Sequence, residues 1–466
     1  MVVKDPFVAT RNACKLCSPL GACLALRGVA GAVPFLHGSQ GCATYIRRYL
    51  ISHFREPMDI AVSGFSEATT VFGGGDNLRT GLHNVARQYH PDLIGIATTC
   101  LPETIGEDVG MLLHEFTPDG DSPFHLVHVS TPSFRGTHVD GFHATIRALV
   151  EQLVLVQKQP LPNGRGSDAR SEPRPLGSGR VNVFPGMVSP ADLRYLKEVL
   201  ADFGLEATLL PDYSETLDGP QLDEYQKIPA GGTSVARIRA MGRARMSLEL
   251  GRTLAECGTA AASLESRFGV ARRKLGWPVG VLESDRFFAA LSELSGRPLP
   301  EKHAKERGRL VDSYVDAHKY VFGRRAVVYG EEDLVVGLTS FLAEIGVQPV
   351  LCASGGESGR LEAAVKAVAG DAAERVMVKE GMDFATMGEA ARGLAPDFLI
   401  GSSKGYSLAR ELDIPLIRVG FPIHDRIGGQ RILHLGYRGA QQLFDAVTNT
   451  LLARGQDRSP VGYSYL

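Results

Sequence analysis

Val33-Pro-Phe-Leu-His37-Gly-Ser-Gln-Gly-Cys42 reads as a short apolar strand that gives way to a glycine-rich loop and a cysteine. Leu93-Ile-Gly-Ile-Ala-Thr-Thr-Cys100 is a second apolar strand, with Cys100 just past its C-terminal end. Open parallel α/β sheets bind ligands at that end of their strands. Between the two, Tyr45, Ile46, Tyr49, Leu50 and His53 make the apolar stripe of a helix that Pro57 closes. The turn Phe72-Gly-Gly-Gly-Asp76 opens a helix over 77–88. A helix over 103–116, a strand over 124–128, a loop over 131–138 and a helix over 141–156 complete a first α/β unit, residues 1–157.

Outward from this unit, residues 158–178 are rich in Pro, Gly, Ser and charge and read as a linker. A middle α/β unit follows over 179–300. It contains the strand Val181–Phe184 and a helix whose Ser189-Pro-Ala-Asp192 supplies an N-cap, a first-turn proline and a first-turn acid. Gly231-Gly232-Thr233-Ser234 marks either a turn or a helix N-terminus able to take an anion. The third unit, 301–466, opens with a charged helix over 301–322. A βαβ run follows, through strands at 325–329 and 347–352 with a helix over 333–345 between them, and further strands lie at 398–400 and 416–419. The fold class is α/β, two to three Rossmann-like domains of parallel sheets flanked by helices.

The 466 residues are 44% hydrophobic and 22% charged, as in globular proteins at large. A net charge of −2 gives no global case for nucleic acid or a membrane surface. No apolar run reaches the roughly 20 residues of a membrane helix. The N-terminus has no apolar signal region, which points to a cytoplasmic protein.

Four of the seven cysteines, Cys14, Cys17, Cys23 and Cys42, fall close together near the N-terminus. In an intracellular chain a disulfide framework is not expected, and cysteines beside glycines suggest soft-metal ligation. Glycines let backbone N–H groups approach the sulfides of an inorganic cluster. Cys17, Cys42 and Cys100 are therefore candidate ligands of an iron–sulfur cluster. Buried packing is the competing reading, because free cysteine often serves as a small hydrophobe. Cys23 reads as helix packing, and Cys257 and Cys352 as lone cysteines in apolar helix or strand patterns. Cys14-Lys-Leu-Cys17 taken alone also suits a redox pair or half of a zinc site. Three cysteines leave a cubane one ligand short.

The motifs together resemble the nitrogenase component 1 superfamily on its β-type branch. The resemblance rests on Cys17-Ser-Pro-Leu-Gly-Ala, His37-Gly-Ser-Gln-Gly-Cys42, His53-Phe-Arg-Glu-Pro57, Val71-Phe-Gly-Gly74, Thr98-Thr-Cys100 and Thr131-Pro-Ser-Phe134. Lys305-Glu-Arg-Gly-Arg-Leu-Val-Asp312 and Pro415-Leu-Ile-Arg-Val-Gly-Phe-Pro422 extend it nearly end to end. It implies that Cys17, Cys42 and Cys100 ligate an iron–sulfur cluster shared with an α-type subunit, which supplies the missing ligands. Leu210–Gly219, Asp425–Gly429 and Gly436–Gly439 resemble the NifN-type scaffold for iron–molybdenum cofactor assembly. The Lys305–Asp312 segment and the full cysteine trio resemble the catalytic, NifK-type branch. The scaffold is the preferred reading; the alternative is the catalytic β subunit of a nitrogenase or of a nitrogenase-like reductase.

On either reading the resemblance implies an α2β2 assembly with a NifE-like or NifD-like partner, in which the cofactor precursor resides, and an ATP-dependent, NifH-like iron protein. Ser39 and Thr137 stand where the family flanks its cluster, and Phe72 where it places an apolar docking contact. Glu56, Asp312 and Asp316 correspond to acids that meet a cation at the family's β–β interface. From the residues alone, two acids four apart on a helix repel unless a cation or an arginine joins them, and Arg307 and Arg309 lie close by in sequence.

Overall fold

In the computed structural model, which describes residues 12–116, 123–155 and 179–461, the apolar runs become three wholly parallel sheets. The first has the order β2-β1-β3-β4 and is built from β1 (Ala32–His37), β2 (Ala61–Val62), β3 (Leu93–Thr98) and β4 (His125–Val129). The second, in the order β6-β5-β7-β8, comprises β5 (Val181–Phe184), β6 (Ala207–Leu209), β7 (Met246–Leu250) and β8 (Ala271–Leu275). The third, in the order β11-β10-β9-β12-β13, comprises β9 (Arg325–Gly330), β10 (Gln348–Ser354), β11 (Met377–Lys379), β12 (Phe398–Gly401) and β13 (Leu416–Arg418). Strands covered on both faces read as continuous apolar runs, and every residue of β1 and β3 is buried.

Among the described residues, seven helices accompany the first sheet: α1 (Ser18–Arg27), α2 (Gln40–Phe54), α3 (Glu67–Phe72), α4 (Gly75–Tyr89), α5 (Cys100–Ile105), α6 (Val109–Phe116) and α7 (His138–Leu153). All ten residues of α1 are buried, as expected of a helix that is apolar nearly all round. It crosses α7 at glycines on both sides. A Cβ on Gly21 would sit 1.6 Å from the His138 carbonyl oxygen, and one on Gly141 would sit 2.0 Å from that of Ser18. Only glycine allows this approach.

The sequence predicts three units divided near 157 and 300; by contact the chain forms two. One comprises Cys17–Leu275 and Phe288–Pro300; the other comprises Met1–Leu16, Gly276–Phe287 and Glu301–Leu466. The first two sheets share a unit because residues 211–233 fold back onto the end of α1. Asp212 N–H and Thr233 N–H both donate to the Gly28 carbonyl, at 3.1 and 2.9 Å. This also decides the Gly231–Ser234 reading. The Thr233 hydroxyl donates to the Leu209 carbonyl, Gly232 packs on the Val29–Ala30 backbone and the helix that follows has six residues, so the stretch is a turn closed by its own chain. The predicted linker, 158–178, lies outside the described residues.

Two helix predictions change. The single helix expected over 103–116 is two, α5 and α6, because Gly106 adopts a left-handed conformation (φ +74°) and caps α5 through its N–H to the Pro102 carbonyl. The helix after β1 starts at Gln40, so Cys42 lies in its first turn rather than in a loop. It ends at Phe54, with Arg55 left-handed, two residues before Pro57.

In the C-terminal unit Val327, Tyr329, Leu351, Phe384, Met387 and Leu399 form the core around the third sheet. Residues 13–15 dock there. Cys14 N–H donates to the Met382 carbonyl at 3.2 Å, and the Lys404 ammonium donates to the carbonyl of Ala13. Among the described residues no helix is long and apolar enough to cross a membrane.

Candidate cluster site

Registry between β1 and β3 builds the site. His37 pairs with Thr98, so the segment after each strand leaves the sheet at the same edge. Ser39 and Cys42 follow one strand, and Cys100 follows the other as the first residue of α5. Gly38 makes the junction possible, since a Cβ there would fall 2.2 Å from the Thr99 hydroxyl. The Ser39 hydroxyl lies 3.7 Å from the Cys42 sulfur.

The loop after β4 joins the third cysteine to this edge. Thr131 exchanges hydrogen bonds with Thr98, its N–H to the Thr98 hydroxyl at 3.0 Å and its hydroxyl to the Thr98 carbonyl at 2.7 Å. Two residues on, Ser133 N–H donates to the Cys100 sulfur at 3.3 Å. The Ser133 hydroxyl accepts from Ser18 N–H at 3.2 Å. Ser18 follows Cys17, the N-cap of α1. Ser133 thus ties the Cys17 and Cys100 segments together. It lies in a motif singled out in the sequence, but nothing there marks its backbone N–H as a thiol partner.

Cys17 and Cys100 are exposed, Cys42 is half-buried, and all seven cysteines are free thiols. Cys17 and Cys42 stand at the N-terminal ends of helices, where backbone N–H groups lack helical partners and can bond inorganic sulfide. Among the described residues, no three or more His, Cys, Asp or Glu side chains are grouped so as to hold a single metal ion.

The other cysteines sit in different surroundings. Cys23 and Cys352 are fully buried, and burial pushes each thiol up to about 12, a setting that disfavours the thiolate a metal needs. Burial does the same to Cys14, against the nearby Lys404 ammonium. Cys14 belongs to the C-terminal unit and Cys17 to the other, so the C-x-x-C is divided between two units. Cys257 overturns its sequence reading. It is exposed, in the loop between β7 and the helix Ala260–Phe268, where Gly258 takes a positive φ.

Thr137 is the N-cap of α7 and is buried. Its hydroxyl donates to the Asp140 carboxylate at 2.8 Å and accepts from Val139 N–H at 3.2 Å, so it is committed to a capping box. Phe72 is 88% exposed and Val71 75%, on a six-residue helix, α3, with no buried residue.

Glu56 is half-buried after α2. Burial pushes its carboxyl up, while the Gly219 N–H and the Arg27 guanidinium favour its charged form against Asp218. Arg27 thus supplies a counter-charge within the chain. Asp312 and Asp316 are exposed on the helix Glu301–Val321. Arg307 turns away from them and pairs with Asp285 through two hydrogen bonds of 2.8 Å.

The family model for nitrogenase component 1 type oxidoreductases matches residues 17–452. The chain belongs to that family. The nitrogenase molybdenum-iron protein beta chain of Clostridium pasteurianum is 35% identical over 444 residues, 95% of this chain and 93% of that one. The corresponding beta chain of Azotobacter vinelandii is 34% identical over 460 residues, 96% of this chain and 84% of that one. The nitrogenase iron-molybdenum cofactor biosynthesis protein NifN of Bradyrhizobium diazoefficiens is 34% identical over 448 residues, 95% of this chain and 89% of that one. Among solved structures, a chain of nitrogenase Cp1 at pH 6.5 superposes with a TM-score of 0.91 at 32% identity, covering all of this chain and 98% of that one. Within the nitrogenase component 1 family the chain is of β type, and its relatives include both molybdenum-iron protein beta chains and a cofactor biosynthesis protein.

Proposed function

We propose that this chain is the NifN-like scaffold subunit of a cytoplasmic nitrogenase component 1-like complex, holding an iron–sulfur cluster at its interface with an α-type partner. The observation that carries the cluster reading, common to both branches, is that Cys17, Cys42 and Cys100 follow segments tied together at one edge of the first sheet, with the Cys17 and Cys100 thiols exposed. These residues fit the group, since thiolates are the usual ligands of iron–sulfur clusters. Such a cluster, when bound, supplies a one-electron store. Around it Ser133 N–H bonds the Cys100 sulfur, and Ser39 stands beside Cys42. An α-type partner in an α2β2 assembly would supply the remaining ligands and carry the cofactor precursor. Exposed Phe72 and Val71 offer an apolar contact for an ATP-dependent iron protein.

Identity is 32–35% to the molybdenum-iron protein beta chains and 34% to the NifN protein, so it does not separate the scaffold from the catalytic subunit. The resemblance of Leu210–Gly219, Asp425–Gly429 and Gly436–Gly439 to the scaffold branch supports the scaffold reading. The reading predicts that the complex with its α-type partner and iron protein reduces no substrate on its own, yet donates a mature cofactor to a cofactor-free nitrogenase component 1. The measurement is acetylene reduction before and after addition of that acceptor. Sustained turnover without the acceptor would assign the chain to the catalytic branch instead.

A further inference from the structure

Beneath the Phe72 edge lies a polar chain that the cluster reading does not use. His37, the last residue of β1, has a fully buried side chain, and its Nε2 is 2.8 Å from the Glu107 carboxylate. The other Glu107 oxygen accepts from Gly74 N–H at 2.6 Å, two residues beyond Phe72. On its opposite side the His37 ring meets the Ser63 hydroxyl at 3.1 Å, and that hydroxyl accepts from Gly38 N–H at 3.0 Å, one residue before Ser39. One run of hydrogen bonds thus joins the backbone beside Phe72 to the backbone that leads into Ser39 and Cys42.

The surroundings make this run rigid. The Phe65 ring stands edge-on to His37 at 4.9 Å and lies against Gly74, where a Cβ would be 2.2 Å from the ring. Phe65 N–H donates to the Gly38 carbonyl at 2.9 Å. Every polar atom of Glu107 has a partner in a nearly dry site, where hydrogen bonds to a carboxylate are at their strongest. A buried His–carboxylate pair is not required for the packing of an α/β edge. Burying it is costly unless every partner is in place.

We propose that His37 and Glu107 are positioning residues: they fix the docking edge around Phe72 relative to the Ser39–Cys42 turn, so that a partner bound at Phe72 is held at a set distance from the cluster. The proposal rests on the function proposed above and deepens it, since it names the residues through which docking and cluster are kept in register. Rates of transfer between bound groups depend steeply on such placement, and a shift of about 1 Å can cost roughly 100-fold in a positioned reaction. Neither residue touches the cluster cysteines.

The test uses the complex with its α-type partner, with the cluster oxidised by a redox dye and its re-reduction followed by visible absorbance. Reduction is driven either by dithionite or by the iron protein with MgATP over a range of iron-protein concentrations. Glu107→Ala is expected to keep iron content, partner assembly and the dithionite rate, while the saturated iron-protein rate falls about tenfold or more. Glu107→Gln should restore most of that rate. Its carbonyl can accept from Gly74 N–H and its amide can donate to His37 once the imidazole proton moves to Nδ1. Burial favours the neutral ring that this exchange requires. Phe72→Ala should instead raise the half-saturating iron-protein concentration. If Phe72→Ala has its effect and Glu107→Ala matches the wild type, the brace is wrong and the cluster reading stands. Parallel loss of iron and of both rates in Glu107→Ala and Glu107→Gln would make the pair merely structural. Absence of any iron-protein-driven reduction in the wild type would remove both readings.

Discussion

Cys17→Ala, Cys42→Ala and Cys100→Ala are each expected to lower bound iron in the anaerobically purified complex to less than half of the wild-type value, whereas Cys352→Ala and Cys257→Ala leave it unchanged. Loss of one thiolate from a three-cysteine half-site removes a strong ligand and exposes the cluster to oxidation and release. The separation of the two groups follows from their settings. Cys17, Cys42 and Cys100 gather where β1 and β3 end and α1 begins, in a network that runs through Thr98, Thr131 and Ser133. Cys352 lies in the core of the third sheet, with its sulfur 3.2 Å from the Thr339 hydroxyl. Cys257 is exposed but sits on the loop between β7 and the helix Ala260–Phe268. Iron content by chemical assay with visible absorbance is the measurement. A variant at Cys257 that loses as much iron as one at Cys42 would break the assignment.

The second large effect concerns the α1–α7 crossing. Two opposing terms act on Gly21→Ala and Gly141→Ala. Alanine is better than glycine in a helix interior by about 1 kcal/mol. Against that, the new methyl would fall 1.6 Å from the His138 carbonyl oxygen at Gly21, and 2.0 Å from the Ser18 carbonyl oxygen at Gly141. Those obstacles are backbone, and α1 is buried along its whole length, so neither helix can move without opening the core. The clash wins, with a net destabilisation of roughly 3 kcal/mol or more. Gly308→Ala is the control. It is exposed in a long helix with nothing within 4 Å of the added carbon, and it should gain about 0.5–1 kcal/mol. Urea unfolding of the three variants gives the comparison. Because Ser18 and His138 adjoin Cys17 and Thr137, the crossing variants should also lose iron.

Most of the first sheet was legible because its buried strands are uninterrupted apolar runs. Leu93–Thr98 and Ala32–His37 are wholly buried, and a cysteine follows each, Cys100 after Thr99 and Cys42 after Gly38-Ser-Gln-Gly. β8 was not legible. Ala271-Arg-Arg-Lys-Leu275 carries three cations, and it is a strand because it lies at the edge of its sheet, where Arg273 reaches Glu293 and Lys274 reaches Glu256. The break between α5 and α6 depends on the backbone conformation of Gly106, which pattern alone does not reveal. In the site, cysteine spacing and family motifs pointed to the three thiols. Ser133 was missed because it acts through its N–H, and every residue but proline has one. His37 and Glu107 were missed as a pair because 70 residues separate them and only the parallel register brings their segments together. The acids Glu56, Asp312 and Asp316 show the reverse. Their spacing left either a cation or an arginine as the joining group at Asp312 and Asp316; in the structure Arg307 serves Asp285 instead, while Glu56 has Arg27 as a counter-charge.

The central claim is that Cys17, Cys42 and Cys100 form half of a cluster site that an α-type subunit completes. The direct measurement is iron per chain and visible absorbance, under strictly anaerobic conditions, for the chain expressed alone and co-expressed with its α-type partner. The account predicts a brown co-purified complex with several irons per β-type chain, and a lone chain that holds little iron and loses it on exposure to air. A lone chain that keeps a full, air-stable cluster would contradict it.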